Sequence, residues 1–231
     1  MWREAEHTVQ HLAAPEQAAP RRSLSNRSPA IVRQLPATVT VEIPLDRRAA
    51  RTRGLLLDAL RELMSERGFE RLTTQNIIDR AGVGRATFYA HFENKEELLA
   101  ASVGRLRDWL VAMRERNPTK PFAFMPPFFD HLASHRALYR TTFERESEVS
   151  VERLIRAMMR DLVRAELTAK RTASQDDGAI ELATQFVVST FWSVTVWWMS
   201  GAGGQRDPSE VSALFLRLAQ PGLELALATP A

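Results

Sequence analysis

Lys95 stands where a lysine is disfavoured. Asn94 suits a helix cap, so Lys95 takes the first helical position, where the dipole is positive and a cation costs a few tenths to ~1 kcal/mol. A cation at that end makes sense if an anion shares it, and the free amides of a helix start bind phosphate. The alternative is a solvated surface lysine that tolerates a small penalty. A second cationic feature lies upstream. Arg47, Arg48, Arg51 and Arg53 fall within seven residues with no acid among them. Formal net charge is only +3, so this excess is local, and a local cluster suits a polyanion. Contact with a phosphodiester backbone is the chemistry these residues offer.

Other chemistries have weaker support. His131 and His135 lie four apart and could share a helical face, but Asp130 points about 100° away and no third ligand is evident. Two ligands alone do not define a metal site, and ordinary half-exposed histidines are the simpler reading. The chain has no cysteine, which excludes disulfides, thiolate zinc sites and a cysteine nucleophile. No glycine-rich phosphate loop, serine-nucleophile elbow or paired-carboxylate motif stands out. A small-molecule-binding enzyme is therefore the minority alternative, and no cofactor is expected.

The elements around Lys95 give these cations a frame. Gly68 suits a left-handed residue ending a helix. Thr73 suits the N-cap of the next helix, Thr74 to Ala81, in which Ile77 and Ala81 share a face. Gly82-Val83-Gly84 then breaks the chain, with Gly82 supplying positive φ. The following helix, Arg85 to about Phe92, turns Phe88 and Phe92 to one side and leaves Arg85, Ala86, Tyr89 and Ala90 to face outward. Asn94 caps a further helix, with Glu97 placed as its reciprocal partner. Upstream, a helix from Arg47 or Arg48 to Arg67 carries Leu56, Leu60, Leu63 and Met64 at helical spacing. It should pack on Ile77, Val83, Phe88 and Phe92 as a three-helix core. Two short helices joined by a tight glycine turn have the form of a helix-turn-helix, which lays one helix in the major groove of DNA.

The helix from Lys95 is expected to reach Arg116 and to bury Leu98, Leu99, Val103, Leu106, Leu110 and Met113, bridging a head to a body. Beyond Pro118 and Pro121, helices are read at about 126–134, 136–146 and 149–171. Asp207-Pro208-Ser209-Glu210 opens another, read to about Ala219, where Pro221 interrupts it. Nothing after Arg47 reads as a sheet, so the fold class is all-α. Apolar residues make up 45% of the 231, which suits a packed body. Residues 1–46 hold five prolines and no long apolar run, so they are expected to be mostly disordered and to carry no secretory signal. They either extend contact with DNA or reflect a misplaced translation start. The expected division is 1–46, then a head at 47–104, then a body at 105–231.

Residues 182–200 form a 19-residue run without a charge, near the length that crosses a bilayer. A membrane-associated helical protein is therefore one alternative. Six polar side chains, Thr184, Gln185, Ser189, Thr190, Ser193 and Thr195, argue against it. A helix apolar on most sides, buried against its own body and a partner copy, is more economical. In the body, Trp109, Met113, Phe128, Phe129, Phe143, Met158, Phe186 and Trp192 either line a cavity for an apolar or aromatic effector or simply fill the core.

The stretch from Gly68 to Leu99 resembles the N-terminal domain of the tetracycline-repressor (TetR) family, and the likeness covers roughly residues 48–105. The resemblance implies a cytoplasmic homodimer that binds a palindromic operator in double-stranded DNA and is released by a ligand. It implies that Thr74 meets phosphate, that Gln75 meets phosphate or a base edge, and that Arg85 and Ala86 read bases, with contact to phosphate alone the alternative for Arg85; Arg48 of the basic cluster is counted among the DNA-binding residues. Thr87 would touch a thymine methyl or phosphate, Tyr89 and Lys95 phosphate, and His91 would pack or touch the backbone. It further implies a four-helix dimer interface, with Trp197, Trp198, Leu214 and Leu218 as candidates. Gly84 departs from the serine or threonine common at that position, which costs a few tenths of a kcal/mol in capping.

Overall fold

The computed structural model describes residues 45–139, 149–170, 177–203 and 205–228, all within one compact unit spanning residues 43–231. The 1–46 extension lies outside the described residues but for its last two, which already belong to a helix. Among the described residues these helices follow in order: α1 (Leu45–Arg67), α2 (Thr74–Ala81), α3 (Arg85–Tyr89), α4 (Lys95–Glu115), α5 (Met125–Ser134), α6 (Val149–Ala169), α7 (Asp177–Met199) and α8 (Pro208–Ala228). Residues 136–139 are also helical. The fold is all-α, a small head of three helices joined to a larger helical body.

Local chemistry sets each joint of the head. α1 ends where Gly68 turns left-handed (φ 77°) and donates its N–H to the Met64 carbonyl at 2.9 Å. Thr73 and Asn76 cap α2 reciprocally: the Thr73 hydroxyl accepts from Asn76 N–H at 3.2 Å, and Asn76 Oδ1 accepts from Thr73 N–H at 3.1 Å. Gly82 takes φ 63° and ψ 32°, which ends α2 and aims α3. The core beneath is Leu56, Leu60, Leu63, Ile77, Phe88 and Phe92, joined by Phe69 and Leu72 from the α1–α2 connection. The α3 helix is shorter than its apolar spacing suggests. It stops at Tyr89, and Phe92 enters the core from the turn beyond, its N–H still bonded to Phe88 O at 2.9 Å.

The expected division at residue 104 falls inside α4, which packs against α1 in the head and α6 in the body. Asn94 caps α4 as expected, at 2.8 Å to Glu97 N–H. The Glu97 carboxylate instead accepts from Glu93 N–H at 2.6 Å, one residue upstream of the reciprocal bond expected.

The body is organised around aromatic rings. Phe129 lies 5.5 Å from Phe191, 5.8 Å from Trp198 and 6.3 Å from Phe215, which ties α5, α7 and α8. The uncharged helix α7 buries ten residues. Its two buried threonines return their hydroxyl protons to their own helix, Thr184 to Ile180 O at 2.7 Å and Thr195 to Phe191 O at 2.8 Å. That is how polar residues stay inside without a partner helix. Pro221 does not end α8, which runs through to Ala228. The proline is exposed, so its ring interrupts the hydrogen-bond ladder on the solvent side of the helix.

Sequence spacing missed the joint between α4 and α5. Phe122 is the one non-glycine residue at positive φ (51°) among the described residues. Its N–H donates at 2.7 Å to Oε1 of Glu166, a carboxylate buried on the core side of α6, and Lys170 Nζ reaches the same oxygen at 2.8 Å. A conformation costing about 1–3 kcal/mol is thus held by a bond spanning 44 residues.

Candidate nucleic-acid interface

Phe88 has no exposed surface, and it anchors α3 from below. Its neighbours Arg85, Ala86, Thr87 and Tyr89 are all exposed, with Tyr89 at 49%. A five-residue helix therefore presents a row of side chains no other part of the head covers. The Arg85 guanidinium rests 5.9 Å from the Tyr89 ring, a loose stack that leaves its fork of donors outward. Gly84 caps α3 with backbone alone.

The remaining predicted contacts frame that row unevenly. Thr74 is half-buried at the start of α2, and Gln75 beside it is exposed with its amide on Asp79 at 2.7 Å. His91 is half-buried, its ring 6.5 Å from Phe92. Arg48 is exposed on the first turns of α1. Lys95 is the surprise. Its side chain is only 17% exposed, its ammonium donates to Phe69 O at 3.3 Å, and it sits 4.5 Å over the Phe69 ring. The protein's own carbonyl and ring offset the cost of a cation at this helix start. A phosphate contact must compete with that bond.

One stabilising device escaped sequence reasoning. Arg80 on α2 forks onto Glu66 at 2.8 and 2.9 Å and reaches Glu62 at 3.3 Å, both on α1. The hydrogen bond from Arg80 holds the Glu66 carboxyl below its usual range, and the two carboxylates raise the guanidinium further. The helix-turn-helix is thereby pinned to the helix behind it. Only the charge alternation across 14 and 18 residues could have signalled this, and such spacing has no local period.

In the body, Phe128, Phe129, Met158 and Trp192 are buried, and Trp109 and Met113 half-buried. Trp109 and Phe128 meet through His131, whose ring lies 6.1 and 6.3 Å from theirs. Trp192 is covered by the Arg156 guanidinium at 4.3 Å. Phe186 points outward at 44% exposure and lines no interior, because α7 turns that face away from the body. Phe143 lies outside the described residues. Of the interface candidates, Leu218 is 59% exposed and Trp197 and Leu214 are half-buried. Trp198 is 1% exposed; its indole donates to Arg206 O at 3.1 Å and stacks in the body's core, so a partner copy cannot reach it.

The two histidines have structural duties. His131 Nε2 is 3.0 Å from the Tyr139 hydroxyl, and His135 Nδ1 is 3.0 Å from His131 O. Burial first, then His135 and Arg61, push the His131 ring down to a pKa of about 3. An open cleft of about 210 Å³ lies beside His135, between Arg61, Glu62 and Ser65 of α1 and Ser134, His135 and Leu138 of the body.

A helix-turn-helix with an uncovered probe helix, mounted on an all-helical body, defines a DNA-binding regulator. The model of the bacterial regulatory proteins of the tetR family matches residues 56–102, and that of a transcriptional regulator C-terminal region (TetR_C_8) matches residues 119–221. The chain belongs to the TetR family of transcription regulators, a family of regulators rather than enzymes. It is 35% identical over 111 residues to the HTH-type transcriptional activator FasR of Mycolicibacterium smegmatis, an alignment covering 45% of this chain and 49% of FasR. The chain thus spans about half the length of that relative. The crystal structure of a TetR regulator from Streptococcus agalactiae superposes with a TM-score of 0.55 at 21% identity, over 75% of this chain and 96% of that one. The Thermus thermophilus repressor FadR, in complex with lauroyl-CoA, superposes with a TM-score of 0.50 at 22% identity, over 74% and 94%. These two likenesses concern the fold.

Proposed function

We propose that this protein is a cytoplasmic, homodimeric repressor that binds a roughly palindromic operator and is released by a small apolar or aromatic ligand. The observation that carries the DNA reading is the division of labour on α3, with Phe88 wholly inside and Arg85, Ala86, Thr87 and Tyr89 outside. Arg85 is assigned to a guanine edge, which its fork can grip at O6 and N7 together. Thr74, Tyr89, Arg48 and Lys95 are assigned to phosphates, with Lys95 exchanging Phe69 O for a phosphate oxygen. Gln75, Ala86, Thr87 and His91 fill the positions between.

The outward face of α7 supports the dimer. Leu182 is 73% exposed and Phe186 44%, on a stretch without charge, and Leu218 of α8 is 59% exposed. The helix is long and apolar enough to cross a membrane, yet 44% of its most apolar window is buried inside the body. An exposed stripe along one face suits a second copy better than lipid on all sides. The effector is assigned to the body near Trp109, Phe128 and Met158, and the lauroyl-CoA bound by FadR supports an apolar one. A coupling of ~1–3 kcal/mol between effector and DNA would change occupancy severalfold to about a hundredfold.

Selection of genomic fragments by the purified protein tests the reading. It predicts fragments sharing two inverted half-sites about 34 Å apart or a multiple of that, bound by a dimer that sediments without detergent. A monomer, or a protein that retains no fragment at low salt, contradicts it.

A further inference from the structure

We infer that the Glu166 carboxylate is the polar anchor of the effector site, and that the ligand it takes is an elongated apolar molecule ending in a neutral hydroxyl. This rests on the reading that the body holds an apolar effector, and it names the group by which that effector is gripped. Glu166 is 6% exposed, and both of its bonds fall on one oxygen: Phe122 N–H donates to Oε1 at 2.7 Å and Lys170 Nζ at 2.8 Å. The second oxygen, Oε2, is buried, and no donor among the described residues reaches it. A buried carboxylate oxygen without a donor is costly, and native proteins keep few of them. The other buried polar side chains among the described residues, Thr184, Thr195 and Ser212, each donate to a carbonyl of their own helix. Glu166 alone of this group faces the core with an acceptor to spare, which suits a donor from outside the chain.

Met158, Leu162 and Glu166 follow at intervals of four along α6, and all three are buried. The carboxylate and a residue already assigned to the effector therefore lie about 12 Å apart on one side of one helix. Met159 and Val163 between them are apolar and buried as well. A ligand laid along that face meets hydrocarbon over most of its length and an acceptor at one end. The charge of Glu166 is balanced by Lys170, whose side chain is half exposed. A second cation would lose its water with no charge left to balance it, and a carboxylate would meet a like charge, so a neutral O–H suits Oε2. The anchor is also placed to report. Its other oxygen holds Phe122 at positive φ in the connection between α4 and α5, and α4 reaches the head at its far end. Because α6 packs on α4 and α7, a ligand seated here parts helices and disturbs the joint that Glu166 fixes.

The test titrates the full chain with decanol, decyl methyl ether, decanoate and decylammonium by calorimetry, and reads operator occupancy in parallel. The ether can accept a hydrogen bond but cannot donate one. The wild type should bind decanol about ten- to a hundredfold more tightly than the ether, the effect of one hydrogen bond to a charged acceptor, and more tightly than either ion. In Glu166→Gln the amide keeps an acceptor for Phe122 N–H and puts a donor where Oε2 stood, so the ratio of alcohol to ether affinity should fall to about one. In Lys170→Met the balancing charge is gone, and decylammonium should overtake decanol. The wild-type ranking and Lys170→Met decide the matter even if Glu166→Gln fails to fold. Equal binding of alcohol and ether by the wild type, tighter binding of either ion, no binding of any of the four, or a folded Glu166→Gln that keeps the preference overturns the inference. Preferential binding of decanol that leaves operator occupancy unchanged upholds the anchor and overturns release by a ligand instead.

Discussion

The head and the body are built by different means. In the head, the caps and turns that set each joint join residues close in sequence: Thr73 with Asn76, Asn94 with Glu97, Gly68 with Met64, and a glycine turn at Gly82, with the Arg80 clamp onto Glu62 and Glu66 the longer-range exception. In the body, the decisive contacts are distant. Phe122 meets Glu166 across 44 residues, and Arg136 donates to Trp198 O across 62. Local devices set the turn between α2 and α3, as a reader of fixed groove geometry requires. Long-range packing leaves the body's interior to be set by how its helices settle, which suits the ligand-responsive role proposed for it.

The sharpest break of that contrast is a pair of cavities. Phe88→Ala and Phe129→Ala each remove a fully buried ring and should each cost about 3–5 kcal/mol, read by denaturant unfolding. Their consequences should differ. At a temperature where both remain folded, the first should abolish DNA binding and the second should leave much of it. The reverse ranking would show that α3 is not held by its own head.

The next largest effect belongs to the body and to acid. His131 has a folded pKa of about 3 against 6.5 when unfolded, so the unfolded chain takes up a proton first as pH falls. Stability is therefore unaffected above about pH 6.5 and declines from there toward pH 3, at up to ~1.4 kcal/mol per pH unit. His131→Phe should flatten that decline in urea melts taken across the range. An unchanged slope would mean the ring is neutral for no energetic reason.

Two glycines refine the view of the head. Gly82→Ala meets no atom within 4 Å, so its cost is backbone alone, about 1–2 kcal/mol at φ 63°. Gly84→Ser should do the opposite. Its Cβ would lie 3.5 Å from Thr87 Oγ1, an ordinary contact, and its hydroxyl restores the missing cap of α3 for a gain of a few tenths of a kcal/mol. A loss at Gly84 would mean the turn needs glycine's freedom after all.

The same division explains what could be read before any coordinates. Caps, the glycine turn and the apolar face of α1 have local signatures, and they place the probe helix correctly. Even there the limits are visible: α3 ends before Phe92, Glu97 bonds one residue away from its expected partner, and Lys95 folds back on Phe69. Those choices depend on which neighbour is nearest in space. In the body, helical spacing finds the helices but not their facing. Phe186 and Trp198 are both aromatic residues of α7, and only packing decides that one looks out and the other in. Glu166 reads as a surface acid by type, and no spacing rule marks it as the buried clamp on Phe122.

The central claim is that Arg85 reads a base while Lys95 grips the backbone. Measuring Arg85→Ala and Lys95→Ala against the operator and a set of single-base variants over a salt series tests it directly. Arg85→Ala should cost about 1–3 kcal/mol on the operator and erase discrimination at one base pair of each half-site. Lys95→Ala should weaken all duplexes alike and reduce the salt slope by about one per head. If both variants lose the same affinity on every sequence, with discrimination intact, the assignment of base reading to Arg85 is wrong.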